Sequence, residues 1–343
     1  MLFFESDIAI DLGTSNTSIY VRGKGIRLRE PSVVAVDKLN GRLLRIGEDA
    51  NQMLGRMPAN IVAIHPISSG VITDYDMTSR MLREFISRVT SFSLFKPRVL
   101  LCVPGSITGV EERAVIDAAI EAGARKVYLV ESTIATAAGS GADIGKADGH
   151  LVVDIGSGTT EIAVISLGGV VESTSIKTAG YAFDEAIIRY IRKKHNLLIG
   201  SKRAEELKRS IGSTYPRRDV DYEEVKGRGV LSGLPASATI TSNDMIEALE
   251  EPVSLILEAI HAVIEKTPPE LVSDIAENGI ILSGGGSRVR GFDRLIKANT
   301  KIETYPVEDP MSCTVYGAGK LLVELNERTE GMINLARQKQ MKG

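Results

Sequence analysis

The sequence predicts an α/β protein built from two similar domains, and three observations carry that prediction. Short apolar runs alternate with longer segments of helical period along most of the chain. A strand-turn-strand unit occurs twice, about one domain apart. The length, 343 residues, exceeds a single module at roughly 100–200 residues per domain.

Taken in order, the first unit opens with the apolar run Ile8-Ala9-Ile10. It turns through Asp11-Leu12-Gly13-Thr14-Ser15-Asn16-Thr17 and resumes as strand at residues 18–21. Residues 99–103 read as a buried strand. Residues 110–122 read as a helix, with Val110, Ala114, Ile116, Ala118 and Ile120 at helical spacing and Glu111 and Glu112 in the opening turns, where acidic groups oppose the dipole. Gly123 is its stop, and residues 127–130 form the next strand. The second unit begins at Leu151-Val152-Val153, turns through Asp154-Ile155-Gly156-Ser157-Gly158-Thr159-Thr160, and continues as strand over 161–167. Laid over the first, Asp11 meets Asp154, Gly13 meets Gly156, Thr14 meets Ser157, Thr17 meets Thr160, and Ile19 and Val21 meet Ile162 and Val164. The match is an internal duplication. A helical run over 203–211 follows, then a polar stretch over 213–233 expected to be a surface excursion. A third buried strand, Ile280-Ile281-Leu282, leads into Ser283-Gly284-Gly285-Gly286-Ser287. The expected domains are 1–149 and 150–325, with a charged tail over 326–343 read as a solvated helix or frayed end.

Composition narrows the function classes. Hydrophobic residues at 43% and charged residues at 25% suit a chain that buries a core. With 41 basic and 44 acidic residues the net charge is −3, so no global positive field draws the chain to nucleic acid. Cys102 and Cys313 lack CxxC spacing, which favours a reducing compartment and the cytoplasm. The segment Met1-Leu2-Phe3-Phe4 is interrupted by Glu5 and Asp7, too soon for a signal peptide or a spanning helix. No P-loop pattern is present, and each glycine turn leads into a strand, whereas a dinucleotide fold would place a helix there.

Small residues at a strand-turn-strand let several backbone N–H groups converge on an anion. Two such turns facing each other would grip a polyphosphate. Asp11 and Asp154, one per turn, would hold a Mg²⁺ through water and phosphate oxygens. The three glycines at 284–286 leave backbone bare enough for a base or ribose to lie on it.

With these residues in view, the chain resembles the actin, sugar-kinase and heat-shock chaperone ATPase superfamily. More closely, it resembles the MreB family of bacterial actins, from about Ile8 to Leu325. Supporting stretches include Glu30-Pro31-Ser32-Val33-Val34-Ala35, Leu94-Phe95-Lys96-Pro97-Arg98-Val99, Asp184-Glu185-Ala186-Ile187-Ile188 and Leu234-Pro235. The resemblance implies an actin-like fold, two duplicated α/β domains with a nucleotide cleft between them. ATP or ADP would be the cofactor, with Mg²⁺ at Asp11 and Asp154. Gly13, Thr14, Ser15 and Asn16 would form the first phosphate turn, and Gly156, Ser157, Gly158 and Thr159 the second. Gly284, Gly285 and Gly286 would lie against the adenosine, and Glu205 and Lys208 beside the ribose and adenine. Phe92, Leu94 and Phe95 match the family's membrane-insertion loop, to which Met1 to Phe4 could add. Self-polymerisation, single or as paired protofilaments, follows by resemblance, as do membrane lipid and cell-elongation complex proteins as partners and a cytoplasmic, membrane-associated location. The function implied is organisation of cell-wall synthesis and cell shape; the alternative is a soluble, non-polymerising ATPase of the superfamily, chaperone-like or kinase-like.

One departure bears on catalysis. The family carries Glu-Glu-Pro after the strand at 127–130, the second glutamate orienting the attacking water; here the stretch is Glu131-Ser132-Thr133. Losing a positioned base costs ~10² to 10⁴ in rate, so hydrolysis is expected to be weakened while binding is kept. Glu131 and Thr159 are the remaining catalytic candidates, and strand alternation would point Glu131 away from the face of Ser132. Gly180-Tyr181 also replaces the family's Gly-Asp, and Ser157 its glycine.

Overall fold

The computed structural model describes residues 7–90, 95–327 and 336–338. These form two compact units. One holds the described residues up to Asp148, residues 165–171 and those from Met311 on; the other holds 149–164 and 172–310.

The chain begins with β1 (Ile8–Leu12), β2 (Asn16–Val21), β3 (Gly25–Pro31), β4 (Val34–Asp37), β5 (Leu43–Ile46), a single helical turn α1 (Glu48–Asn51), β6 (Ile61–Ile64), β7 (Ile67–Ser68) and β8 (Val71–Ile72). There follow α2 (Tyr75–Thr90), β9 (Arg98–Val103), α3 (Gly109–Glu121), β10 (Lys126–Glu131) and α4 (Ser132–Ser140). Next come β11 (His150–Ile155), β12 (Thr160–Ser166), β13 (Gly169–Ile176), α5 (Gly180–His195), β14 (Leu197–Leu198), α6 (Ser201–Ser210), β15 (Tyr222–Gly229), β16 (Pro235–Thr241) and α7 (Ser242–Lys266). The last elements are α8 (Pro269–Asn278), β17 (Ile280–Ser283), α9 (Phe292–Thr300), β18 (Thr304–Pro306), α10 (Cys313–Glu327) and β19 (Ala336–Gln338).

The largest sheet has the order β19-β10-β9-β1-β2-β3 and the second β13-β12-β11-β17-β18. In each, the strand before a glycine turn lies between the strand after the turn and a parallel neighbour: β1 beside β9, with Asp11 opposite Cys102, and β11 beside β17, with Asp154 opposite Ser283. The central strands are buried on both faces, which is why they read as continuous apolar runs. Ile8, Ile10, Val99 and Leu101 join one core with Phe85; Leu151, Val153, Ile280 and Leu282 join the other with Phe183 and Phe292. The helix expected over 110–122 is α3, closed at its start by Thr108 and Glu111 in a reciprocal capping box.

Two expectations need correction. Residues 311–325 were expected in the second domain, but α10 packs on α4 and belongs with the first unit. The two helices approach closely because glycines line the contact. A Cβ on Gly317 would stand 1.8 Å from the Ala135 carbonyl oxygen, and one on Gly139 would stand 2.1 Å from that of Cys313. The Thr136 and Thr314 hydroxyls are bonded at 2.9 Å across the same contact, and Lys320 Nζ donates to Ala138 O at 2.9 Å.

Within 213–233, the expected surface excursion carries a largely exposed strand in its second half. It is β15, paired with β14 and β16, and only Val225 and Gly229 of it are buried, so its polar residues hid the strand period. In the tail, α10 runs on to Glu327, and 336–338 pair antiparallel with β10.

Candidate functional site

The two glycine turns close alike. Gly13 N–H donates to Asn16 O at 3.1 Å, and Gly156 N–H donates to Thr159 O at 2.9 Å. Glycine suits both closures: a Cβ on Gly13 would stand 2.7 Å from Asn16 O, closer than backbone allows, and one on Gly156 would stand a tight 3.0 Å from Thr159 O.

Each turn is also braced from one side. In the first, Ser32 Oγ donates to Gly13 O at 2.7 Å and Ser32 N–H to Ser15 O at 2.8 Å. Because the Ser32 proton is committed to Gly13, the Thr17 hydroxyl, 2.9 Å away, is the donor in their contact. Thr14 Oγ1 accepts from Gly70 N–H at 3.0 Å. In the second turn, Gly180 N–H donates to Gly156 O at 3.1 Å and Tyr181 N–H to Ser157 O at 2.9 Å. Thr160, the counterpart of Thr17, donates to Thr178 O at 2.7 Å.

These braces fix where the amides point. In a trans peptide the N–H lies opposite the C=O of the preceding residue, and the described chain has no cis bond. Holding the Gly13 and Ser15 carbonyls therefore turns the Thr14 and Asn16 N–H groups to the other side. Holding Gly156 and Ser157 does the same for the Ser157 and Gly158 N–H groups. Each turn thus presents two backbone N–H groups on the side away from its brace, an arrangement suited to an anion.

The third glycine segment has a second use beyond leaving backbone bare. Gly284, at φ +84°, has no room for a Cβ, which would meet Ile155 O at 2.2 Å and Asp154 Oδ1 at 2.3 Å. On Gly286 a Cβ would stand 2.6 Å from Ile155 Cγ2. Both glycines are buried against the strand end that carries Asp154, and Gly285 is the exposed one. Asp11 and Asp154 are both half-buried at the ends of β1 and β11.

Glu205 and Lys208 both lie on α6, but they do not pair with each other. Glu205 bonds Arg209 at 2.5 Å. The Lys208 ammonium stands 2.8 Å from Asp184 Oδ1 and donates to Gly180 O at 2.9 Å. Burial pushes Asp184 up to about 6, with Lys208 pulling the other way. Ser32, Gly70, Thr178 and Asp184 were not singled out as site residues from sequence, and Gly180 was noted only with Tyr181 as a departure from the family pattern. Ser32 and Asp184 fall inside the stretches quoted above, but no spacing rule gives them a role.

The profile of the family described as MreB/Mbl protein matches residues 5–330. The chain is 49% identical over 325 residues to cell shape-determining protein MreB of Escherichia coli (strain K12), covering 93% of this chain and 94% of that protein. The chain belongs to the MreB/Mbl family. Cell shape-determining protein Mbl of Bacillus subtilis (strain 168) is 46% identical over 327 residues, covering 94% of this chain and 98% of that protein. Among solved structures, MreB5 of Spiroplasma citri bound to ADP superposes with a TM-score of 0.91 at 34% identity, covering 96% of this chain and all (100%) of that one. A structure of the same protein bound to AMPPNP gives 0.90 at 35% identity, covering 94% and 97%. The fold is actin-like.

The departure from the MreB/Mbl pattern at Ser132 has a local structural account. Ser132 is the first residue of α4, and its hydroxyl donates to Val103 O at 3.2 Å, turned onto the neighbouring strand. No acidic residue stands in the first turn of α4. Glu131 ends β10 in extended conformation at the N-cap position. The strand-alternation argument for Glu131 fails here, because Ser132 has already left the strand for the helix. Of the membrane-loop candidates, Phe95 is 50% exposed; Phe92, Leu94 and Met1 to Phe4 lie outside the described residues.

Proposed function

We propose that this MreB/Mbl chain binds ATP or ADP with Mg²⁺, polymerises with itself on the inner face of the cell membrane, and so organises cell-wall synthesis and cell shape with the cell-elongation complex. The observation that carries the reading is the pair of turns, one per unit, each closed by the same glycine bond and each braced through two of its carbonyls. Both turns would take phosphate oxygens on their outward N–H groups, through Gly13 to Asn16 and Gly156 to Thr159. Gly285 would lie against the adenosine, with Glu205 and Lys208 beside it. The relatives named as cell shape-determining proteins and the nucleotide-bound Spiroplasma structures support this reading.

Among the described residues no group of three or more His, Cys, Asp and Glu side chains is placed to hold a metal ion. Asp11 and Asp154, half-buried at the ends of β1 and β11, are carboxylates of the kind that would hold Mg²⁺ at a phosphate site, with phosphate and water completing the shell. Bound there, Mg²⁺ would neutralise phosphate charge. Hydrolysis would be slow, since the Ser132 hydroxyl is committed to Val103 O and is a poor base; Glu131 and Thr159 stay the catalytic candidates.

Residues of the first unit would suit a membrane surface. β1, β9 and β10 run parallel, with Ile8, Val99 and Val127 in register, and Ile8 also faces Val21. One end of these strands thus gathers Arg22, Lys24, Lys96, Arg98, Arg125 and Lys126 beside the exposed Phe95. At that end Asp7, fully buried, binds Arg98 at 2.9 and 2.5 Å and Arg22 at 3.5 Å. Basic residues gain roughly 1 kcal/mol each near an anionic leaflet, and a polymer multiplies such contacts.

Electron microscopy of the purified protein with ATP, Mg²⁺ and anionic vesicles tests the reading. Filaments lying on vesicles are expected. Monomers alone across a wide concentration range, with ATP bound, would instead favour the soluble ATPase.

A further inference from the structure

A chain of contacts runs from a buried carboxylate to the second turn. Asp184 lies one helical turn beyond Gly180 on α5, so the two share a face. The Lys208 ammonium bridges them, with the two charged side chains only 12% and 9% exposed. Gly180 N–H then holds Gly156 O, and Tyr181 N–H holds Ser157 O. The junction is tight: a Cβ on Gly180 would stand 3.3 Å from both Gly156 O and Ser157 Cα, and 3.5 Å from Lys208 Nζ.

Stability does not account for this pair. A buried ion pair is often no better than apolar residues of the same volume, because desolvation offsets the attraction. Burial outweighs Lys208 in setting the Asp184 carboxyl, and Asp184 Oδ1 receives no well-directed hydrogen bond beyond the ion pair. Position is what the pair supplies. Lysine has a flexible four-carbon stem and three donors. The carboxylate selects the rotamer that sets one donor on Gly180 O.

We propose that Asp184 is a positioning residue of the nucleotide site, holding the Lys208 ammonium against the start of α5 so that Gly180 and Tyr181 keep the Ser157 and Gly158 N–H groups aimed at the phosphates. The inference rests on the nucleotide-binding reading above. Asp184 acts only through Lys208, so its effect disappears once Lys208 is gone.

The test uses the full chain as natural protein, Asp184→Asn, Lys208→Met and the double variant. Two measurements are made: affinity for a fluorescent ATP analogue, and amide hydrogen exchange at Gly180 and Tyr181 without nucleotide. Loss of a charge-assisted contact should weaken the affinity of Asp184→Asn about ten-fold. The double variant should bind no worse than Lys208→Met, and exchange at both amides should rise about ten-fold in each single variant. Affinity within two-fold of the natural protein in Asp184→Asn, or a double variant falling by the product of the singles, overturns the proposal. Unchanged exchange in both single variants overturns the positioning role by itself. Should Asp184→Asn fail to fold, Lys208→Met still reads the exchange at these amides. A natural protein that binds no ATP analogue refutes the nucleotide reading, and with it the ligand of this site, whatever the exchange shows.

Discussion

Replacing Gly317 by alanine sets two physical effects against each other. Helix propensity alone favours alanine by about 1 kcal/mol within a helix. The packing of α10 on α4 opposes it, because the new Cβ would lie 1.8 Å from Ala135 O, 2.5 Å from Gly139 N and 2.8 Å from Ala135 C. All three are backbone atoms of α4, so no side chain can swing away. The helices must separate by roughly 1.5 Å to restore ordinary contact, an overpacking cost of about 1–3 kcal/mol. Separation also stretches the Thr136–Thr314 bond at 2.9 Å, the Cys313 Sγ to Thr136 O contact at 3.3 Å and the Lys320 to Ala138 O bond at 2.9 Å. Each is worth about 1 kcal/mol. The net expectation is a loss of about 3–5 kcal/mol, read by urea unfolding followed by circular dichroism. Gly109→Ala is the control, since nothing lies within 4 Å of its Cβ position; it should change stability by a few tenths of a kcal/mol. A Gly317→Ala protein as stable as the natural one, or more so, would refute the packing argument.

Three further outcomes are expected. Ser132→Glu should raise phosphate release at saturating ATP and Mg²⁺ by ~10-fold or more, without unfolding the protein, because an acidic residue in the first turn of α4 suits the helix dipole; unchanged release would show that another group orients the water. Asp184, raised to about 6 from 3.8, contributes stability that is fully present below pH 4 and is lost as pH rises through 6, a change of about 3 kcal/mol at most; urea titrations of natural protein and Asp184→Asn between pH 4.5 and 7.5 should diverge accordingly, and parallel curves would contradict it. Changing Phe92, Leu94 and Phe95 together to serine should sharply reduce co-sedimentation with anionic vesicles, whereas changing Lys24, Lys96 and Arg125 to alanine should mainly reduce its salt dependence; equal binding by both variants would remove the membrane surface from the proposal.

The duplicated turns were legible in the sequence because their chemistry is local. Gly13 and Gly156 close on residues three positions away, so spacing alone records the constraint, and central strands buried on both faces stand out as apolar runs. The braces were not legible. Ser32 reaches Gly13, and Gly180 reaches Gly156, across intervals that differ between the two halves, and one uses a hydroxyl where the other uses a backbone amide. Lys208 likewise pairs with Asp184 on another helix, although Glu205 is its neighbour in sequence.

The sequence by itself determined the duplication, the central strands and the two turns, since each turn and strand depends on residues close along the chain; the departure at Ser132 became visible only through the family resemblance. Only the tertiary structure decided that α10 belongs with the first unit, that Gly284 and Gly286 serve the packing beside Asp154, and that Lys208 is held by Asp184. Those depend on which backbones come within about 3 Å of each other, a distance set by the whole packed core.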